Sequence, residues 1–267
     1  SSERVRAVSS ALASRTLRAC APSMSRCPMS RLVTTVSGRM LAVAASVEVV
    51  RNLIGKKQDN DNLWIALVNS ATDCVVAGAP DAVEAFTVEL TTMEIGFKRL
   101  SVSHAFHTPM MARAAADVVE ALSDVSLSPP KIPMTSNVTG TWLQNEACDP
   151  EYWGKHMRCT VEWSRNVECL LRWKPDIIVE VGPGRTLSTL IGKLCAHIDT
   201  KPPVCLQSMR RAKVKASDTA VFVELIGDLW NEGFAVNFSG FHPPTGRGRA
   251  QLPTYAFEKR SFWANAK

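Results

Sequence analysis

No run of about 18 apolar residues occurs anywhere in the 267-residue chain, so no membrane-spanning helix is expected. The eight cysteines (Cys20, Cys27, Cys74, Cys148, Cys159, Cys169, Cys195 and Cys205) form no CxxC pair. No Cys/His group has the spacing of a zinc site either. Reduced, buried thiols of an intracellular protein are therefore expected rather than a disulfide framework. Acidic residues are almost missing from residues 1–38, where six arginines stand against the single Glu3 and no lysine occurs. That segment holds +5 of the net +6, which leaves +1 for the remainder. A nearly neutral body excludes a basic face that tracks phosphates, and no nucleic acid partner is expected. No secretory signal is read, so the sequons Asn137-Val138-Thr139 and Asn237-Phe238-Ser239 are taken as chance matches.

What is there, 46% hydrophobic and 21% charged residues, suits a soluble globular protein with a substantial core. The Ser/Arg-rich leader, residues 1–38, has the composition of an organelle transit segment or of foreign sequence, and no fold element is assigned to it. A cytoplasmic location is expected, with an organelle as the alternative if the leader is a transit segment. From residue 39 the pattern is regular: a strand at 40–46, a helix at 47–56, strands at 63–70 and 73–79, a helix at 80–93 opened by Pro80 and Asp81, and a strand at 95–102. This is a β-α-β-β-α-β order, the ferredoxin-like arrangement. A helix over 109–124 follows, then helices in "YWGKHMR" and "VEWSRNVECLLRW". The apolar run 175–184 ends in Gly-Pro-Gly before a helix over 185–195, a strand in "PPVCLQSM" and a helix over 218–233. Apolar strand, glycine turn and helix mark a parallel α/β sheet.

Gly182-Pro183-Gly184 lacks the spacing of a phosphate loop or dinucleotide fingerprint, so a tight strand-to-helix turn is its default reading. "SVSHAFHTPMM" (101–111) sets His104 and His107 three apart before Pro109. Spacing alone leaves three readings open: a metal clip short of further ligands, a general base aimed from a strand end, and two structural histidines.

Five ordered motifs, "SVSHAFHTPMM", "SNVTG", "DPEYWGKHMRCTVEWS", "DIIVEVGPGRTLSTL" and "LPTYAFEKRSFW", resemble the acyltransferase domain of type I polyketide synthases, related to malonyl-CoA:acyl carrier protein transacylases. The resemblance runs from about Gly38 to Trp263. It implies an α/β fold: a partial α/β-hydrolase-like large subdomain with an inserted ferredoxin-like small subdomain. It also implies acyl transfer from malonyl-CoA to the phosphopantetheine thiol of acyl carrier protein, in polyketide or type I fatty acid synthesis. No bound cofactor or metal is implied, since malonyl-CoA and the pantetheine arm are substrates. The partners implied are the carrier protein and the ketosynthase and linker of the same synthase, with no membrane. The last histidine of the motif, His107, takes the role of general base, and the backbone carbonyl of His156 holds its Nδ1–H. His104 and Phe106 become substrate-selecting, because HAFH accompanies malonyl units and YASH methylmalonyl units in this family. Asn69 stands at a position near the substrate pocket. Tyr255, Phe257, Phe262 and Trp263 would anchor the linker that follows the acyltransferase.

The pattern breaks at the front. The family's Gly-His-Ser-x-Gly elbow is expected about a hundred residues before His107, yet residues 1–38 contain no Gly-x-Ser-x-Gly, and Ser1 and Ser2 lack the glycines such a turn needs. In "MSRLV", Met29 stands where an arginine would bind the substrate carboxylate, two residues before Arg31. The expectation is a chain inactive in isolation, with a non-catalytic remnant that docks to carrier protein or ketosynthase as the alternative. The expected divisions are 1–38 as leader, 39–103 as small subdomain, 104–210 as part of the large subdomain, and 211–267 as closing helix and linker.

Overall fold

The computed structural model describes residues 5–9, 37–55, 62–211, 214–241 and 251–257. The chain forms two units, Ser1–Leu225 and Ile226–Lys267. In order, the elements are β1 (Val5–Ser9), β2 (Arg39–Val43), α1 (Val47–Gly55), β3 (Leu63–Ser70), β4 (Asp73–Gly78), α2 (Pro80–Thr92), β5 (Phe97–Arg99), α3 (Ala112–Ser123), α4 (Pro150–Arg158), α5 (Trp163–Leu171), β6 (Ile177–Pro183), α6 (Thr186–His197), β7 (Val204–Met209) and α7 (Asp218–Asn231). Strand β1 falls inside the leader to which the sequence assigned no element, and it pairs parallel with β6. Met29, Arg31, Cys20, Cys27, Phe262 and Trp263 lie outside the described residues. Among the described residues, no helix is long and apolar enough to cross a membrane, and the six cysteines are free thiols.

Two sheets organise the first unit, one of order β1-β6-β7 and one of order β3-β4-β2-β5. Neighbours in the second are antiparallel. Alternation of side chains along a strand gives this sheet two unlike faces. Leu41, Val43, Cys74 and Val76 point toward α1 and α2, where they meet Val50, Leu53, Phe86 and Leu90. Both helices present one apolar stripe: α2 buries Val83, Phe86, Thr87 and Leu90 at helical spacing. The opposite face carries Met40, Ala66, Val75 and Ala77, two of them alanines, and onto it packs Ala105 of the loop after β5. Burial pushes the Cys74 thiol up to about 11, helped by Asp73 and Glu48, so this cysteine behaves as a core residue.

β5 is shorter than the expected 95–102. Its three residues are all exposed, as suits an edge strand. Leu100 N–H still reaches Met40 O at 3.0 Å, but Val102 N–H turns back to Leu100 O at 2.9 Å and the chain leaves the sheet. The expected helix 109–124 likewise divides into a 3-10 turn, Pro109–Met111, and α3. Thr108 starts that turn, its buried hydroxyl accepting Met110 N–H.

The parallel sheet carries the glycine turn. Ile177 to Glu180 are buried, as expected of a strand covered on both faces. α5, β6 and α6 share one core through Val167, Ile178, Ile191 and Leu194. Glu180 closes the turn from within: its carboxylate accepts Leu187 N–H at 3.1 Å, Ser188 N–H at 2.9 Å and the Ser188 hydroxyl at 2.7 Å. Two oxygens of an internal side chain thus occupy the first turn of α6, the place a bound phosphate would take.

In the second unit, Gly233 (φ +87°) ends α7 in the left-handed conformation that favours glycine. Trp230 and Phe238 meet edge to face at 6.0 Å, and Tyr255 and Phe257 at 5.0 Å. Tyr255 and Phe257 are 78% and 79% exposed.

One close approach fixes the loop that bears the two histidines. Gly38 N–H donates to Ser103 O at 3.0 Å, and a Cβ on Gly38 would lie 2.4 Å from Ala105 N. Gly38→Ala should therefore displace that loop and destabilise the chain by about 1–3 kcal/mol. Gly55→Ala, at a helix end with nothing within 4 Å, should cost nothing. Thermal denaturation followed by circular dichroism compares the two, and equal melting temperatures would contradict the account.

Candidate active site

Helix α4 begins at an Asp149 cap, whose carboxylate accepts Glu151 N–H at 2.9 Å. It ends at Cys159, where the chain turns extended and is taken up by β3. Thr160 Oγ1–H donates to Ile65 O at 2.7 Å. Val161 N–H bonds Ala66 O at 2.8 Å, and Val68 N–H bonds Val161 O at 2.9 Å. A helix end leaves its last carbonyls without partners along the chain. Two consecutive carbonyls of this end receive His107. Its backbone N–H donates to Met157 O at 3.1 Å, and its ring Nδ1–H donates to His156 O at 3.2 Å.

A carbonyl only accepts, so this contact requires the proton on Nδ1 and leaves Nε2 with a free lone pair. His107 itself has φ +61°, a left-handed conformation that costs a non-glycine residue about 1–3 kcal/mol. The neighbouring Thr108 is buried and its hydroxyl donates to Ala105 O at 2.7 Å, which helps hold the turn. Burial pushes the His107 imidazolium down to about 4; nearby His156 acts in the same direction, and the backbone hydrogen bonds to His156 and Cys159 act against it. At neutral pH the ring is uncharged. Burial also lowers His156.

The loop brings His104, Phe106 and His107 together. His104 Nδ1 pairs with Ser103 Oγ at 2.8 Å, and its ring lies 6.0 Å from that of Phe106. Phe106 packs on that same face of the four-stranded sheet, with Ala105, Ala66 and Ala77 in the same cluster. Asn69 is buried near the end of β3, where its Nδ2–H donates to Asp73 Oδ1 at 3.2 Å. Among the described residues no group of three or more His, Cys, Asp or Glu side chains is arranged to hold a metal.

Other groups at this site were not assigned roles from sequence. The "SNVTG" segment folds as a tight turn around Ser136, whose Oγ accepts Val138 N–H, Thr139 N–H and the Tyr152 hydroxyl. Gly140 at φ +69° is needed there, since a Cβ would fall 2.4 Å from Arg165 Cβ. Burial, the largest influence on Tyr152, pushes its phenol up, which keeps it a donor. The turn sets Asn137 beside His156, with Asn137 Nδ2 and His156 Nε2 3.2 Å apart. "SNVTG" stands upstream of "GKHMR" in the sequence, but no spacing rule connects an amide to a ring across 19 residues.

The depressed His107 value has a consequence for stability. Its folded value lies below the ordinary 6.5, so as pH falls the unfolded chain binds the proton first. The stabilisation is complete above about pH 6.5 and is lost as pH falls toward about 4. The urea midpoint of the wild type should therefore drop more steeply between these values than that of His107→Gln. Parallel profiles would contradict a half-buried, neutral imidazole.

Comparison with known proteins gives the family and the fold. The sequence profile described as "Acyl transferase domain" matches residues 7–224. Polyketide synthase GfsB of Streptomyces halstedii is 30% identical over 227 residues, which are 85% of this chain and 4% of that protein. The acyl transferase domain of SpnD, solved in complex with 2-(pent-4-yn-1-yl)malonyl, is 35% identical with a TM-score of 0.66, over 74% of this chain and 47% of that one. Malonyl-CoA:acyl carrier protein transacylase (FabD) of Xanthomonas oryzae pv. oryzae is 26% identical with a TM-score of 0.58, over 64% and 54% of the two chains. The chain thus spans a small part of the curated synthase and about half of the solved structures. With the mixed α/β fold in common, the chain belongs to the acyltransferase domain family of type I polyketide synthases, homologous to the FabD transacylases.

Proposed function

We propose that the chain serves acyl transfer from malonyl-CoA to the phosphopantetheine thiol of an acyl carrier protein, with His107 as general base. The observation that carries this reading is the neutral His107 ring, held through Nδ1–H by the His156 carbonyl at the end of α4. In this reading a serine Oγ attacks the thioester carbonyl and gives its proton to His107 Nε2. The C–S bond breaks, and the departing CoA sulfur takes that proton. The pantetheine thiol then gives its proton to Nε2 and attacks the acyl-serine carbonyl, the ester C–O bond breaks, and His107 returns the proton to the departing serine oxygen. The His156 carbonyl supplies partial negative charge rather than a full carboxylate, which fixes the tautomer and favours the transient imidazolium.

The nucleophile of this reading is the serine of a Gly-His-Ser-x-Gly elbow, and no Gly-x-Ser-x-Gly occurs among the 267 residues. These residues alone therefore hold the base and the selectivity loop without the serine. That absence favours a second reading as well, a non-catalytic piece that docks to carrier protein or ketosynthase. The β2–β5 unit is taken as a ferredoxin-like small subdomain inserted in a hydrolase-like large one, and residues 211–267 as closing helix and linker. His104 and Phe106 are taken as substrate-selecting, with Phe106 occupying the space a 2-methyl group needs. Asn69 is kept as a substrate-pocket residue only through its neighbourhood in the family.

Transfer is measured by mass spectrometry of the carrier protein's pantetheine arm, for the 267-residue chain and for the longest protein its transcript encodes. The first should be inactive, and the second active if its frame supplies the elbow. In an active protein, His107→Ala should lower the rate about 10²–10⁴-fold. Phe106→Ser should weaken the preference for malonyl over methylmalonyl by about 10-fold or more. An active protein indifferent to His107 would contradict the first reading, and carrier binding without transfer by the longest protein would establish the second.

A further inference from the structure

Helix α5, the "SNVTG" turn and helix α4 build a chain of amides that ends on the half-buried His156. Asn166, 4% exposed, donates Nδ2–H to Asn137 Oδ1 at 2.6 Å. Asn137 in turn donates Nδ2–H toward His156 Nε2 at 3.2 Å. The backbone of Asn137 is pinned on both sides. Its carbonyl accepts Glu162 N–H at 2.9 Å, and Ser136 Oγ caps the two N–H groups that follow it.

The direction of this chain follows from what is left over. The one buried atom of the three side chains without a partner is Asn166 Oδ1. Reversing both amides would put an NH₂ group in that place, and buried donors without partners are rarer than under-satisfied carbonyl oxygens. In the direction described, Asn137 presents a donor to His156 Nε2. That nitrogen must then carry the lone pair, and the His156 proton resides on Nδ1.

We propose that Asn137 is a positioning residue for the histidine base: its donation to His156 Nε2 holds His156 as an uncharged Nδ1–H ring of fixed orientation, which keeps the end of α4 aligned with His107. The proposal rests on the reading of His107 as the base for acyl transfer and deepens it. Its physical content is twofold. A donor facing Nε2 opposes a proton there, and the His156 ring centroid lies 6.3 Å from that of His107, close enough for a positive charge to oppose the imidazolium His107 must become. The same contact ties the side chain of the residue whose own carbonyl receives His107 Nδ1–H. Aspartate at position 137 would act in the opposite sense, because a carboxylate only accepts and would draw a proton onto Nε2.

The test is ¹⁵N NMR of the ring nitrogens in the full chain labelled at histidine, at pH 7, with His107 and His156 assigned by single His→Gln replacements. In the wild type, both rings should show a protonated Nδ1 and a bare Nε2. Asn137→Asp should move a proton onto His156 Nε2, and Asn137→Ala should turn the single tautomer of His156 into a mixture and loosen the single tautomer of His107. A wild-type His156 protonated at Nε2 would overturn the proposal. So would an Asn137→Asp chain of unchanged melting temperature whose two rings match the wild type. If the variants fail to fold, the wild-type spectrum alone decides between these outcomes. These readouts need no substrate. A protein that shows the expected tautomers yet transfers no acyl group would count against the proposed function and leave this inference standing.

Discussion

The grip of one helix end on one histidine organises the site. The last turn of α4 offers two carbonyls that the helix cannot satisfy, and His107 takes both, one with its backbone N–H and one with its ring. Each such bond contributes only about 1 kcal/mol of net stability, comparable to what the left-handed backbone of His107 costs. The arrangement therefore specifies a tautomer and a position more than it stabilises the fold. It depends on where α4 stops, and α4 stops because β3 captures Thr160 and Val161. The four-stranded sheet thereby sets the location of a carbonyl in the neighbouring helix.

That sheet has a division of labour between its faces. Leu41, Val43 and Val76 meet two helices on one side and carry the core. Alanines at 66 and 77 leave the other side low enough for Gly38 and Ala105 to come into contact. The histidine loop is laid on that face, and Phe106 packs against it. Packing between α3 and α4 follows the same rule, since a Cβ on Gly154 would meet Val119 Cγ2 at 2.7 Å. Elsewhere the chain uses an internal carboxylate for a task often given to a ligand: Glu180 satisfies the first N–H groups of α6.

The strands at 63–70 and 73–78 were legible because alternation and a turn are local signals. The extent of β5 was not, because Val102 turns back through a backbone bond that no side chain announces. The histidine pair could be located from "HAFH", yet spacing left its chemistry open, and the resemblance to a family supplied the roles. The partners of His107 are backbone oxygens 49 and 50 residues away. A carbonyl has no letter in a sequence, so only the position of a helix end reveals it. Asn137 and Asn166 were visible as letters but joined only by the fold, and strand β1 had no pattern distinct from the Arg/Ser composition around it.

The central claim is that the His107 proton lies on Nδ1, facing the end of α4. Neutron diffraction from crystals of the full chain grown in heavy water near pH 7 locates that proton directly. The account predicts a deuteron between His107 Nδ1 and the His156 carbonyl oxygen, with Nε2 bare. A deuteron on Nε2, or a ring turned so that Nδ1 leaves that oxygen, would contradict it.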